Sequence, residues 1–140
     1  MSPQALLTVY TSLVRPCFDY ACVVYHSLLS KTLSDALERQ QRKILKIIYG
    51  FDVSYNTALA RSGLDRLDAR RCTLRERFVM KLSRNPCFES WFPLNETPEY
   101  DLRTHKKYSE LQFRTERSRA APIYTYRRIL NALTEDGLLD

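Results

Sequence analysis

The stretch SKTLSDALERQQRKILKIIYG, residues 30–50, predicts the longest helix of the chain and decides its fold class. Ser30 is a suitable N-cap, and Gly50 is a suitable residue to follow the last turn. Apolar residues at helical spacing predict a buried stripe made of Leu33, Leu37, Ile44 and Ile48. Gln41 interrupts this stripe, and we expect its side chain to satisfy a buried backbone group rather than to reach a ligand.

The segment before this helix predicts one bent helix, or two abutting ones, over about residues 3–29. Ser2 followed by Pro3 resembles a helix start. Pro16 lacks a backbone N–H and should kink or break the helix at that point. Tyr20 and Tyr25 are expected in the core, with their hydroxyls at its edge.

Three more helices are predicted after residue 50. A short one fits Tyr55–Ser62, between Ser54 as cap and Gly63 as stop. The next should begin near Asp65, and its predicted inner face consists of Leu67, Leu74, Phe78 and Leu82. It should run to about Arg84, before Asn85-Pro86. A last helix is predicted from Pro122 to about Glu135, with an inner face of Ile123, Tyr126, Ile129, Leu130 and Leu133.

Residues 86–121 lack a clear period and contain Pro86, Pro93 and Pro98. We therefore expect extended chain with a short strand or two. The predicted fold is mainly α: a small domain of four to five helices with an irregular, proline- and aromatic-rich segment before the last one. We divide it into a helical region, 1–85, and a second region, 86–140, packed on the same core.

The positive charge is concentrated in the middle of the chain. The net charge is +6, and residues 31–84 hold 13 bases and 6 acids, whereas residues 85–140 hold 8 bases and 9 acids. A concentrated basic zone indicates a polyanionic partner, with nucleic acid the first candidate. Two helices account for this zone, through Arg39, Arg42, Lys43 and Lys46 on the first and Arg70, Arg71, Arg77 and Lys81 on the second.

These basic faces have simpler interpretations. Every amphipathic helix needs a polar face, and Glu38 could pair with Arg42, as Asp35 could with Arg39. The aromatic residues Phe88, Trp91 and Phe92 could stack on bases, but we favour their anchoring a loop on the core. If the two basic helices are neighbours, their outer faces could form one wall against phosphates.

Several classes of protein are not supported by the sequence. No phosphate-binding glycine loop, zinc-protease or serine-hydrolase motif occurs, and the aspartates are scattered, so we expect no catalytic centre. The four cysteines have irregular spacing, which favours reduced, partly buried thiols over a metal site. We expect no cofactor and no membrane span, and an intracellular location, nuclear or cytoplasmic.

Four short motifs, in order along the chain, resemble one family. Residues 10–21 are similar to the "Y-x-S-L-V-R-P-x-x-x-Y" segment that follows the polymerase core of non-LTR (LINE-type, jockey-like) retrotransposon reverse transcriptases. Residues 37–50 resemble that family's "L-E-x-x-Q-R-x-x-x-R-x-I-x-G", and residues 63–71 resemble its "G-L-x-x-L-x-x-R-R". Leu102-Arg103, residues 114–117 and residues 122–131 resemble its closing block.

The resemblance implies a thumb and post-thumb region, which in that family grips a template–primer duplex next to a palm domain that carries the catalytic aspartates. The implied partners are an RNA–DNA or DNA duplex backbone and the palm domain of a full-length reverse transcriptase. Duplex contact would then fall on the basic residues at 39, 42, 43, 46, 70 and 71. The alternatives are a protein-interaction or structural module, or a retroelement remnant without a function; the oligomeric state stays open.

Overall fold

A computed structural model describes residues 2–96, 106–110 and 112–135, and the predicted mainly α fold is confirmed. Its α-helices are α1 (Pro3–Val9), α2 (Arg15–Asp19), α3 (Cys22–Tyr25), α4 (Lys31–Tyr49), α5 (Tyr55–Ser62), α6 (Leu67–Ser83), α7 (Glu116–Arg119) and α8 (Pro122–Glu135). A π-helical turn, Tyr10–Val14, joins α1 to α2. Two 3₁₀-helices cover His26–Leu28 and Pro86–Trp91. Leu102 and Arg103, of the fourth motif, lie outside the described residues.

The chain forms two compact units, Met1–Leu74 and Arg75–Asp140. The division therefore lies inside α6 rather than at the predicted residue 85. Each unit has its own buried cluster. In unit 1 it consists of Leu7, Tyr10, Leu45, Ile48 and Ala58. In unit 2 it consists of Val79, Leu82, Phe92, Tyr126 and Leu130.

Pro16 does not break the first helical run, so of the predicted kink or break, the break is wrong. The backbone N–H of Arg15 donates to the carbonyl of Tyr10, five residues earlier, so the wider π turn lies directly before the proline. The run ends instead at Tyr20, where Ala21 adopts a left-handed conformation with φ 51°. Tyr20 is 81% exposed, so its predicted place in the core is wrong.

Helix α4 begins and ends as its local signals predict. The Ser30 hydroxyl accepts a hydrogen bond from the N–H of Leu33, and Gly50, with φ 101°, follows the last residue. Its buried face is displaced from the predicted stripe: Leu33 is 56% exposed, whereas Glu38, Gln41, Leu45 and Ile48 are buried. Leu33 lies in the first turn, where no described residue covers it enough to exclude water.

Helix α5 also matches its predicted limits, since Ser54 caps it through the N–H of Thr57 and Gly63 follows it in a left-handed conformation. Helix α6 begins at Leu67, which is fully buried; Leu82 is buried too, but Phe78 of the predicted inner face remains more than one-third exposed.

In unit 2, the predicted extended segment is largely wrong for the described residues. Pro86–Trp91 is a 3₁₀-helix, capped by Asn85, and the short helix α7 was not predicted. Strand-like pairing in the described part is limited to one antiparallel bridge between Leu94 and Tyr108. Because a 3₁₀ turn repeats every three residues, it brings Phe88 and Trp91 together without an apolar period long enough to be recognised.

Candidate nucleic-acid interface

Four basic side chains of α4, Arg39, Arg42, Lys43 and Lys46, form what we call the cationic face. Arg39, Arg42 and Lys43 are exposed, and Lys46 is half-buried. They recur at i, i+3, i+4 and i+7, opposite the face that packs on the unit 1 cluster. At a rise of about 1.5 Å per residue the face extends roughly 10 Å, which matches a few phosphates about 3.4 Å apart along one strand.

None of the four cations forms an ion pair with a residue that the structure describes. The predicted pairing of Glu38 with Arg42 does not form: the buried Glu38 carboxylate lies 3.6 Å from the Arg66 guanidinium and accepts a hydrogen bond from Tyr55 instead. The Arg42 guanidinium lies instead over the ring of Tyr55, 5.0 Å from its centroid. This contact holds the charge at the surface without neutralising it.

The opposite side of α4 carries hydrogen-bonded polar groups, which we call the buried polar network. The Tyr10 hydroxyl donates to Oε1 of Gln41 at 2.6 Å. Nε2 of Gln41 donates to the Tyr55 hydroxyl at 3.0 Å and to the backbone carbonyl of Asp65 at 3.1 Å. Gln41 therefore satisfies a backbone carbonyl, as expected, and its own side chain is fully buried.

Glu38 completes the network and ties α4 to α5 and α6. One carboxylate oxygen accepts from the Tyr55 hydroxyl, and the other accepts from the backbone N–H of Leu67 at 3.0 Å. The second bond satisfies a donor at the start of α6 that has no partner within the helix. The carboxylate thus acts as the N-terminal cap of α6, from a position 29 residues earlier.

Burial governs the ionisation of both tyrosines. Loss of hydration raises the pKa of Tyr10 to about 12. The pKa of Tyr55 is raised further, first by burial and then by the hydrogen bond to Glu38. Both hydroxyls therefore stay protonated at neutral pH, which the network requires because each donates its proton.

Two of the predicted contact residues, Arg70 and Arg71, form hydrogen bonds within the protein. Arg71 is fully buried; its guanidinium donates to Nδ1 of His26 and to the hydroxyl of Ser34. It cannot reach a phosphate in this fold, so the prediction for Arg71 is wrong. Arg70 donates to a carboxylate oxygen of Asp19 at 2.7 Å, and its charge is thereby partly neutralised.

Arg15 belongs to the same buried set, and its sequence context had not distinguished it. The guanidinium donates to the carbonyl of Asp65 at 3.2 Å, the acceptor also used by Gln41. Burial, followed by repulsion from Arg70, lowers the pKa of Arg15. Five polar residues of the three motifs that suggested a family are therefore buried: Tyr10, Arg15, Glu38, Gln41 and Arg71.

A spacing signal for the network was present in the sequence. Residues 38, 41, 45 and 48 recur at i, i+3, i+7 and i+10, which is one helical face. Two of its members, Glu38 and Gln41, are polar, so hydrophobicity alone placed the buried face too close to Leu33.

Arg77 and Lys81, the other two predicted contacts, are exposed on the part of α6 that belongs to unit 2. Arg84, just after the helix, is exposed as well. A wall formed jointly with the cationic face of unit 1 stays a prediction.

The aromatic residues after Pro86 anchor the chain, as favoured from the sequence. Phe92 is buried in the unit 2 cluster, and Phe88 packs against that cluster. Trp91 is partly exposed, and its ring packs edge-to-face against that of Phe88, with the two ring centroids 5.0 Å apart. This arrangement uses two of the three rings for packing and leaves only part of the indole in contact with solvent.

Unit 2 also contains an open cleft of about 460 Å³ lined by Lys106, Glu110, Gln112, Phe113, Arg119 and Arg128. Lys106 donates to Glu110 at 2.7 Å, and Asn131 donates to the same carboxylate at 2.9 Å. Burial by itself raises the pKa of Glu110, but these two hydrogen bonds outweigh it, and the pKa is lowered. Glu110 therefore offsets part of the positive charge along the cleft.

All four thiols are free; Cys22 is buried and Cys72 half-buried, whereas Cys17 and Cys87 are exposed. Among the described residues, no three His, Cys, Asp or Glu side chains are grouped so that they could hold a metal ion. None of the helices in that part of the chain has both the length and the apolar character needed to cross a bilayer.

No protein-family model, curated protein or solved structure matches the chain.

Proposed function

We propose that the chain is a non-catalytic, nucleic-acid-binding helical module that contacts the backbone of an RNA–DNA or DNA duplex through the cationic face of α4. One observation carries the proposal: four neighbouring cations, three of them exposed and Lys46 half-buried, have no carboxylate partner among the described residues. Such a row favours a polyanion, because each cation that neutralises a phosphate releases counterions condensed on the nucleic acid. The motif resemblance to reverse transcriptase thumb regions supports the same partner, and an adjoining palm domain is part of this proposal.

Binding through phosphates makes a quantitative prediction. If all four cations contact phosphates, the logarithm of the association constant should fall with the logarithm of salt concentration with a slope of about −3.6, at about −0.9 per contact on duplex DNA. Two duplexes of different sequence should bind about equally well, because phosphate contacts carry no direct sequence information.

The test compares two variants of equal net charge by fluorescence anisotropy over a range of salt concentrations. The first replaces Arg39, Arg42, Lys43 and Lys46 with Gln and should remove most of the salt dependence. The control replaces four exposed cations outside the cationic face with Gln: Arg61, Arg114, Arg117 and Arg128. The control should keep the wild-type slope. Equal slopes for both variants, or an unchanged slope in the first, would exclude the cationic face.

A protein-interaction module is the second candidate, because four apolar side chains of unit 1 outside the cationic face are exposed. Val9, Leu13, Val24 and Leu28, all from the segment before α4, are exposed. Exposed apolar residues in one segment favour contact with another chain or with a second copy. A salt-insensitive oligomer in size-exclusion chromatography with light scattering, dissociated by Leu13→Ser and Leu28→Ser and lacking affinity for duplex, would favour this candidate over the first.

A further inference from the structure

Two large apolar side chains project into solvent at the C-terminal end of α4, next to the cationic face. Ile47 is 67% exposed and Phe51 is 77% exposed. Ile47 lies one helical turn after Lys43, and Phe51 begins the turn that follows the helix. Apolar surface in this position is unfavourable in water unless something covers it.

The exposure of Phe51 is set by a well-anchored turn. The N–H of Gly50 donates to the carbonyl of Lys46 at 2.9 Å. Gly50 itself has a positive φ of 101°, which changes the direction of the chain. Tyr49 before the turn and Val53 after it both pack on the unit 1 cluster. With the backbone held on both sides, the Phe51 ring points outward at the end of the cationic face.

The cationic face, which ends about one turn before Phe51, indicates what covers this side chain. Position 50 continues the series 39, 43, 46 along the helix, so the chain leaves α4 in line with the cationic face and about one turn, ~5.4 Å, after Lys46. A partner bound along that face would be anionic and would reach Phe51 within one or two further phosphate spacings. A nucleic acid combines that charge with flat apolar surfaces, the faces of its bases.

We infer that Phe51 stacks on an unpaired base of the nucleic acid whose backbone occupies the cationic face. The inference rests on the proposed function and narrows its substrate. Base faces inside a duplex are already stacked on their neighbours, so a ring at the surface can stack only on a base that is free of the helix. The favoured ligand is therefore a duplex with a single-stranded extension, its phosphates on α4 and an extension base on Phe51, with Ile47 beside the contact.

The experiment uses the full chain and three fluorescent probes: a blunt duplex, the same duplex with a short single-stranded extension, and that extension made abasic. The abasic probe keeps every phosphate and removes only the base faces. Wild-type protein should bind the intact extension about tenfold more tightly than the abasic one, within the range for base stacking on an aromatic side chain. Phe51→Ala should bring this ratio close to one without changing the salt slope.

Two matched variants control the result. Phe51→Trp keeps a stacking ring and should keep the ratio. Tyr20→Ala removes an aromatic side chain that is equally free of the core, 81% exposed, but belongs to the segment before α3, and it should leave the ratio unchanged. Because both residues are exposed, circular dichroism should show native folding for all three variants.

Failure of base stacking by Phe51 and failure of nucleic-acid binding give different results. Salt-dependent binding of wild-type protein with the same ratio in Phe51→Ala would overturn the inference and leave the proposed function standing. Absence of salt-dependent binding to any probe would overturn both. Phe51-dependent sedimentation with phosphatidylserine vesicles, together with a ratio that does not depend on Phe51, would overturn the inference in favour of a membrane surface.

Discussion

Helix α4 carries polar residues on two sides, and the surroundings of the two sets differ. On the inner side, Glu38 and Gln41 are buried and hydrogen-bonded to side chains and backbone groups from three other segments. On the outer side, Arg39 and Lys43 are exposed and have no carboxylate partner among the described residues. Adjacent residues can therefore differ completely in environment: Glu38 is buried and hydrogen-bonded, whereas Arg39 is exposed.

This difference separates stability from binding within one helix. A buried group that loses its hydrogen-bond partner bears the full cost of desolvation, whereas an exposed cation is solvated by water with or without a partner. Substitutions on the inner side should thus change the free energy of unfolding. Substitutions on the outer side should change the affinity for a polyanion and leave stability almost unaltered.

The largest expected effect is that of Glu38→Ala. It leaves the Tyr55 hydroxyl and the Leu67 N–H without their acceptor and opens a cavity, so we expect a loss of about 3 kcal/mol. Urea unfolding followed by circular dichroism measures it. The matched control is Arg39→Ala, the next residue along the helix, which should cost less than about 0.5 kcal/mol. Similar losses for the two variants would contradict the division of α4 into two sides.

Alkaline pH should lower the free energy of unfolding through the buried polar network. The pKa of Tyr10 rises from 10.0 to about 12 in the folded protein, because burial opposes the charged form. A raised folded-state pKa contributes stability that is complete below the unfolded value and is lost as pH rises from about 10 towards 12. The loss from Tyr10 alone should be roughly 2–3 kcal/mol, at about 1.4 kcal/mol per pH unit.

Thermal unfolding across this pH range tests that loss. The midpoint should be steady below pH 10 and fall above it. In Tyr10→Phe the midpoint should fall less steeply, because phenylalanine has no hydroxyl proton to lose. The pKa of Tyr55 is shifted in the same direction, so some decline should persist in the variant. A wild-type midpoint that is independent of pH up to 12 would show that Tyr10 is not buried as described.

A slightly smaller effect is expected for Gln41→Leu, about 2 kcal/mol, because the Tyr10 hydroxyl loses its acceptor while the apolar volume is nearly kept. The double variant, which adds Tyr10→Phe, should lose less stability than the sum of the two single variants. Each single substitution leaves the remaining residue of the pair without its hydrogen-bond partner, whereas the double variant removes both groups. Chemical denaturation of the four proteins in this cycle gives the coupling energy. Additive losses would mean that the 2.6 Å contact contributes nothing specific.

A smaller loss of stability is expected for Arg42→Gln. The variant loses the contact with the Tyr55 ring, for which we expect about 0.5–1 kcal/mol. Lys43→Gln removes the same charge without an aromatic contact and should have no measurable effect on unfolding. Both variants should weaken duplex binding to a similar degree. An equal loss of stability in Lys43→Gln and Arg42→Gln would show that the contact between Arg42 and the Tyr55 ring contributes nothing to stability.

Helix limits were predictable wherever a local signal marks them. Ser30, Ser54 and Pro122 precede or begin helices that start where predicted, and Gly50 and Gly63 follow helices that end where predicted. Capping depends on hydrogen bonds three residues away, and left-handed stops depend on one residue's backbone, so nearby sequence suffices. The exposed side chains at 39, 42 and 43 were predictable for the same reason, since helical spacing assigns them to one face.

The sequence by itself therefore determined the helical class, most helix ends and the cationic face of α4, because these follow from spacing and short-range bonding. Only the tertiary structure decided which polar residues are interior. Glu38 and Arg71 have the residue types of a solvated surface, and their burial depends on partners at Leu67, Tyr55, Ser34 and His26 that are distant in the chain. A buried polar side chain is tolerated only where such partners meet it, and no local pattern specifies that meeting.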